Sequence, residues 1–325
     1  MNGLEFCKRF YNQVVKDIVL PISPEHGAAL IGPGSEVLGF DTEMSRDHGW
    51  HARCIIFTDK EEAVRAALQL HVPDKFESFG TQIEVSNAHS FFSAYLGFDP
   101  YNITDVDWLS APTQVLRMLT DGEIFKESNE LCHLRSKLSF YPRDILLYIL
   151  EAGWERISQE MAFMGRCGLV KDNIGSALIS ARLFSFIMRL CFMYEGQYPP
   201  YWKWFGTAFN KLPCADNFKS SIEAGLMADT WQKRERYLSQ AYIALGELHN
   251  KSGLAGQVEP GVIEYYSRGF MVPDTQKYKE SLRAEIKSDS VKALPPNVGA
   301  VDQISDQTDF LGHNEIRLKI RGVWE

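Results

Sequence analysis

The periodicity of the chain changes near residue 110, and no other feature limits its fold as strongly. Before that point short apolar runs alternate with polar segments. Residues 28–31, 52–57 ("ARCIIF") and 81–86 ("TQIEVS") read as strands. "DKEEAVRAALQL", with Asp59 placed as its N-cap, reads as a helix between the second and third. Residues 4–19 set Leu4, Phe10, Val14, Val15 and Ile18 at helical spacing and stop at Pro21. After residue 110 a 3.6-residue period takes over. It runs through 112–120, 129–140, 142–166, 172–195, 201–211, 216–228 and 232–251, punctuated by "FYP", "RCG", "GQYPP" and "KLP". A chain divided in this way predicts an α+β protein, with a small mixed-sheet domain over 1–108 and a larger helical bundle over 109–252. Residues 253–325, with "LPPNVG" and a strand-like "EIRLKI" at 315–320, read as an extended C-terminal segment packing on the rest.

Charge and cysteine usage narrow the function classes. The 325 residues carry a net charge of −8, so no global basic field draws nucleic acid, and DNA is not an expected partner. The six cysteines, at 7, 54, 132, 167, 191 and 214, form no CxxC pair and read as reduced thiols of a cytoplasmic protein. Glu5, Lys8, Arg9 and Lys16 make the first helix unlike a signal peptide. The apolar stretch Leu183–Met193 is broken by Ser185 and Arg189 and is too short to span a bilayer, so no membrane partner is expected.

The chemistry concentrates between the first two strands, in "IGPGSEVLGFDTEMSRDHGWHARCIIF". Glycine-rich turns let successive backbone N–H groups face an anion without steric hindrance. This turn is neither a P-loop, which needs Gly-Lys-Ser/Thr, nor GxGxxG. Asp41, Glu43 and Asp47 follow it, and acidic side chains there are poor for packing and suited to a cation.

On Gly34-Ser35, Gly39 and Asp47 the chain resembles nucleotidyltransferases of the DNA-polymerase-β type. These carry a Gly-Ser turn, commonly a further glycine, then an Asp-x-Asp, and a third carboxylate in a later strand. Glu84, in "QIEVS", is the candidate third carboxylate. The stretches "GSEVLGFDTEMSRDHGW", "FYPRDILLYILEAGWERI", "YPPYWKWFGTAF" and "RERYLSQAYIALGELHN" are similar to a largely uncharacterised bacterial group within that superfamily, over roughly residues 30 to 250. The small domain is then expected to be nucleotidyltransferase-like.

One position departs from the pattern: Gly49 stands where the second aspartate belongs. Two-metal phosphoryl chemistry uses several carboxylates to hold ions about 3.5–4 Å apart. Asp41 and Glu43 in the loop, with His48 beside Asp47, are candidates to replace the missing ligand. The resemblance implies Mg²⁺ on Asp47, Glu84, Asp41 and Glu43, with NTP phosphates on the Gly34 and Ser35 amides. Glu84 would serve as a base toward an acceptor hydroxyl on a small molecule, a protein or an RNA end. In the helical region Arg182 and Arg189 share a helix face, and Lys203 lies among aromatics in "YWKWF"; all three are candidate nucleotide contacts.

Each of these residues also has an ordinary role to set against the catalytic one. Glu84 fits a solvent-facing position on an edge strand, Arg182 and Arg189 fit ion pairs inside a bundle, and Trp202, Trp204 and Phe205 fit a core. Three functions follow in order of support: a nucleotidyltransferase; a degenerate relative that binds nucleotide or a partner without turnover; and a metal-dependent hydrolase using Asp47, His48 and His51.

Overall fold

The computed structural model describes residues 2–42 and 51–325, so Glu43, Asp47, His48 and Gly49 lie outside the described residues. The chain forms two compact units. The first takes in the chain as far as Asp107, then Ala111–Ser139 and Gly312–Leu318; the second takes in Trp108–Ser110, Phe140–Leu311 and Lys319–Glu325. This division differs from the expected break at 108/109.

The first unit opens with helix α1 (Gly3–Phe10), which runs through a π-helical turn at Tyr11–Val15 into α2 (Lys16–Val19). Strands β1 (Gly27–Leu30) and β2 (Ala52–Phe57) follow, then α3 (Glu61–His71), β3 (Lys75–Phe76) and β4 (Phe79–Ser86). Asp59 does not cap α3, whose N-cap is Lys60. Helices α4 (Ala88–Leu96), α5 (Asp105–Ser110) and α6 (Thr113–Thr120) lead to β5 (Glu123–Lys126) and α7 (Asn129–Lys137).

The sheet order is β3-β4-β2-β1-β5. β1 runs antiparallel to both β2 and β5, whereas β2 and β4 are parallel and joined by α3, as a parallel pair requires. Strand β5, unread in the sequence, is why residues 111–139 belong to this unit. Gly122 makes that pairing possible: its φ is +80°, and a Cβ there would collide with the Leu30 carbonyl.

Side chains alternate across the sheet. Ala52, Cys54, Ile56 and Val85 face the core with Phe6, Phe10, Tyr11, Val64 and Leu68. Arg53, Ile55 and Phe57, level with Gln82, Glu84 and Ser86, share the opposite face, where Phe57 meets Phe91 of α4 edge-on at 5.3 Å.

The second unit is helical: α8 (Arg143–Glu160), α9 (Phe163–Leu169), α10 (Asn173–Tyr194), α11 (Trp202–Phe209), α12 (Lys219–Leu226) and α13 (Trp231–Ser252). A hairpin of β6 (Val262–Glu264) and β7 (Met271–Pro273) follows, with α14 (Thr275–Ala284) packed on α8. Helices α15 (Asp289–Ala293), α16 (Val301–Ile304) and α17 (Thr308–Gly312) complete it. At its centre the Trp154 ring stacks on Tyr278, with centroids 4.0 Å apart and planes within 4°. Trp154 Nε1–H donates to the Tyr194 hydroxyl at 2.9 Å, which reaches His249 Nδ1 at 3.0 Å; His249 Nε2 meets the Gly256 carbonyl at 3.2 Å.

Helix α10 is the one helix among the described residues long and apolar enough to cross a membrane by composition, and half of that apolar window is buried in the unit.

The expected strand at 315–320 is instead helix α18 (Asn314–Arg317) and a 3₁₀ turn over Leu318–Val323. The alternating pattern finds no strand to pair with. Asn314 Nδ2 and Arg317 Nη2 donate to the Ala94 and Leu96 carbonyls, each at 2.6 Å, at the end of α4. Those carbonyls are among the ones a helix terminus leaves unsatisfied.

Candidate functional site

The loop after β1 is held at several points. Gly32 N–H donates to the Met118 carbonyl at 2.8 Å. Gly39 and Phe40 N–H donate back to Glu36 and Ser35 at 3.1 and 2.9 Å, closing a turn on the Gly-Ser pair. Gly34 has φ +147°, a conformation that L side chains rarely adopt. A Cβ there would collide with the Arg53 guanidinium and the Glu36 carboxylate. The glycine signal in the sequence therefore marks a close approach of side chains to backbone.

Arg53 is the central residue that the sequence reading missed. Its Nε and Nη2 donate to Glu36 Oε1 at 2.9 and 2.5 Å, and Nη2 also reaches the Pro33 carbonyl at 2.6 Å. Its Nη1 has no acceptor among the described residues, and the side chain is 21% exposed. One signal could have found it: Arg53 is the only charge in the otherwise apolar strand "ARCIIF".

Glu84 lies on the same face, one strand over. Desolvation pushes its carboxyl above the ordinary glutamate range, while the charges of Arg53 and Arg65 pull it down. The residue as a whole keeps an exposed surface. The Glu84 charge in turn adds to desolvation in raising the Tyr95 phenol. Tyr95 borders the loop, since its hydroxyl is 3.6 Å from where a Cβ on Gly32 would stand. Gly34, Arg53, Glu84 and Tyr95 thus make one polar patch beside the glycine turn.

The other sequence candidates have contacts of their own. Asp41 Oδ2 accepts the Gly3 N–H at 2.8 Å, which fastens the loop to the start of α1, where a carboxylate is favoured. His51 sits just before β2 with its ring 2.9 Å from the Cβ position of Gly80, a packing contact. Arg182, Arg189 and Lys203 belong to the helical unit. Arg182 forms a two-point pair with Glu160, at 2.8 and 2.5 Å. Arg189 lies over the Trp202 and Phe205 rings at 5.1 and 5.4 Å. Desolvation lowers its pKa against the charges of Asp302 and Asp306. Lys203 is exposed, 5.0 Å from the Trp204 ring. Phe205 is a core residue, but Trp202 is 50% exposed.

Among the described residues no three His, Cys, Asp or Glu side chains come together as a metal site, so Glu84 and Asp41 do not suffice by themselves. The remaining carboxylates proposed for Mg²⁺, Glu43 and Asp47, lie outside the described residues. All six cysteines are free, and burial pushes Cys7 up to about 11, so that thiol is not a reactive nucleophile.

Comparison with known proteins gives three findings. A family model described as a domain of unknown function (DUF4037) matches residues 108–205. No curated protein matches. A solved structure of a nucleotidyltransferase-like protein from Exiguobacterium sibiricum 255-15 aligns over 76% of this chain and 77% of that one, at 13% identity and a TM-score of 0.35. At that overlap the fold assignment rests on this chain's own sheet and helices.

Proposed function

We propose that the first unit binds a nucleoside triphosphate and transfers a nucleoside monophosphate to a hydroxyl-bearing acceptor. One observation supports this most: Arg53 stands beside Gly34, with no acceptor at Nη1 among the described residues, on the sheet face that carries Glu84. A phosphate at the turn would take N–H bonds from Gly34 and Ser35 and a charge-assisted bond from Arg53. Glu36 neutralises part of the Arg53 charge and fixes the guanidinium plane. Glu84, with its proton affinity raised, is suited to accept a proton from an acceptor hydroxyl. Mg²⁺ is the proposed companion ion, with Glu84, Asp47 and Glu43 as its holders; when bound it would neutralise phosphate charge. Asp41 is assigned to anchoring the loop rather than to catalysis.

The second reading is nucleotide binding without turnover. Gly49 in place of a carboxylate favours it.

Thermal unfolding with ATP, GTP, CTP and UTP, with and without Mg²⁺, tests both. A ligand at a hundred times its Kd stabilises the folded state by about 2.7 kcal/mol, which is a shift of about 2–4 °C at this size. A nucleotide-dependent shift that is lost in Arg53→Ala supports the site. A further Mg²⁺ dependence lost in Asp47→Asn, with pyrophosphate release in an acceptor screen, separates transfer from binding. No shift with any nucleotide would refute both readings.

A further inference from the structure

Strand β4 has two edges, and among the described residues only one is filled along its length. Along Thr81–Ser86 it pairs with β2. On the other side, among the described residues, only Phe79 and Gly80 pair, with Phe76 and Lys75 of β3. Beyond that short hairpin, alternate residues turn their backbone groups outward. Thr81 N–H is taken by the Asp74 carbonyl at 3.1 Å, and the Val85 carbonyl by Arg65 Nη2 at 2.8 Å. Between them the outward N–H and C=O of Ile83 have no partner among the described residues. Natural sheets usually blunt such an edge, and here a single arginine covers one carbonyl.

A cleft of about 770 Å³ runs between this edge and α3. Its charged lining is Glu61, Arg65, Asp74 and Glu84. Glu61 is engaged three times, by Arg65 at 3.4 Å and by the Asn87 backbone and side-chain amides at 3.2 and 3.0 Å. Asp74 and Glu84 have no ion-pair partner among the described residues, so the open part of the cleft is acidic.

We propose that this cleft takes an extended basic peptide segment of another protein, which adds to β4 as a further strand. Backbone bonds to Ile83 and Val85 would supply affinity, and alternate Lys or Arg side chains would meet Asp74 and Glu84. Arg65 holds the place in the empty state and leaves the Val85 carbonyl when the strand arrives. The surface does not depend on nucleotide. If the loop works as proposed above, a hydroxyl on such a peptide would lie on the strand next to Glu84.

Anisotropy titration without nucleotide tests this, using three labelled hexapeptides. The first alternates lysine and valine, the second alternates glutamate and valine, and the third is the lysine peptide with alternate backbone amides N-methylated. Saturable binding of the first is expected, with the other two weaker by about tenfold or more. Arg65→Ala should tighten binding by baring the Val85 carbonyl, and Asp74→Asn should weaken it. The methylated peptide leaves the protein unaltered, so its result does not depend on how a variant folds. Equal binding of the methylated and unmethylated peptides would overturn strand addition, and no saturable binding by any peptide would overturn the site. Self-association in sedimentation that is lost in Ile83→Pro would give the edge to a second copy of this chain and overturn the partner.

Discussion

A network in the helical unit and a patch in the sheet unit handle polarity in opposite ways. In the helical unit, polar groups from three helices form a chain that ends on a backbone carbonyl: Trp154 to Tyr194, Tyr194 to His249, His249 to the Gly256 carbonyl. Every donor along that path has an acceptor, and the Trp154–Tyr278 stack seals it. In the sheet unit the polar patch stays open. Among the described residues Arg53 spends three contacts on Glu36 and Pro33 with no acceptor at Nη1, and the Glu84 side chain has no hydrogen bond or ion pair. A closed network holds a fold together, whereas an open one beside a glycine turn is where a ligand can complete the bonding.

That contrast can be broken by substitution. The largest effect is expected from Trp154→Ala, which removes a fully buried ring, its stack and its hydrogen bond. A loss of about 3–5 kcal/mol in chemical denaturation is expected, with nucleotide binding untouched in the fraction that remains folded. A loss below 1 kcal/mol would mean that the closed network is not the centre of the helical unit. Gly34→Ala should cost about 1–3 kcal/mol through its backbone strain and should also displace Arg53, so stability and nucleotide-induced shift fall together. An unchanged nucleotide shift in that variant would detach the turn from the site.

Arg53→Ala sharpens the comparison, because it removes the positive charge that lowers the Glu84 pKa. The Glu84 titration, followed by carboxyl NMR, should move further up, and stability should drop by about 1–3 kcal/mol as Glu36 loses its partner. A downward or absent shift would show that Arg53 does not act on Glu84.

Both units carry a histidine that burial holds below its ordinary pKa: His26, between Tyr11 and the Ser23 carbonyl, and His249. Burial disfavours the protonated form of each in the folded chain, while the unfolded chain takes up a proton below pH 6.5, the ordinary value. Their contribution is therefore present above that pH and lost as pH falls through it. Denaturation midpoints should decline between pH 7.5 and 5, and substituting both by glutamine should flatten the decline. The smallest effect is expected from Arg182→Ala, an exposed pair worth about 0–1 kcal/mol, with no change in nucleotide response.

Much of this was legible along the chain. The helices of the second unit follow from long 3.6-period runs: 172–195 and 232–251 were expected, and Asn173–Tyr194 and Trp231–Ser252 form. The strand at 52–57 matches residue for residue. "GEIFK" was not legible as β5, because four half-buried residues carry no period and become a strand only against β1. The site was legible in part. Gly34, Ser35 and Glu84 belong to one sheet unit, but Asp41 turned to the start of α1, and the three cations of the bundle found aromatic or carboxylate neighbours in their own unit.

By itself the sequence determined the long helices of the second unit, the strands at 28–31, 52–57 and 81–86, and that a glycine turn follows the first of them. Those properties depend on periodicity and on local backbone freedom, which neighbouring residues carry. Only the tertiary structure decided that Arg53 would stand over Gly34, that Glu84 would share its sheet face, and that one edge of β4 would stay open. Each of these depends on strand order and register, which follow from burying one face of the sheet under α1 to α3 and from no single stretch of the chain.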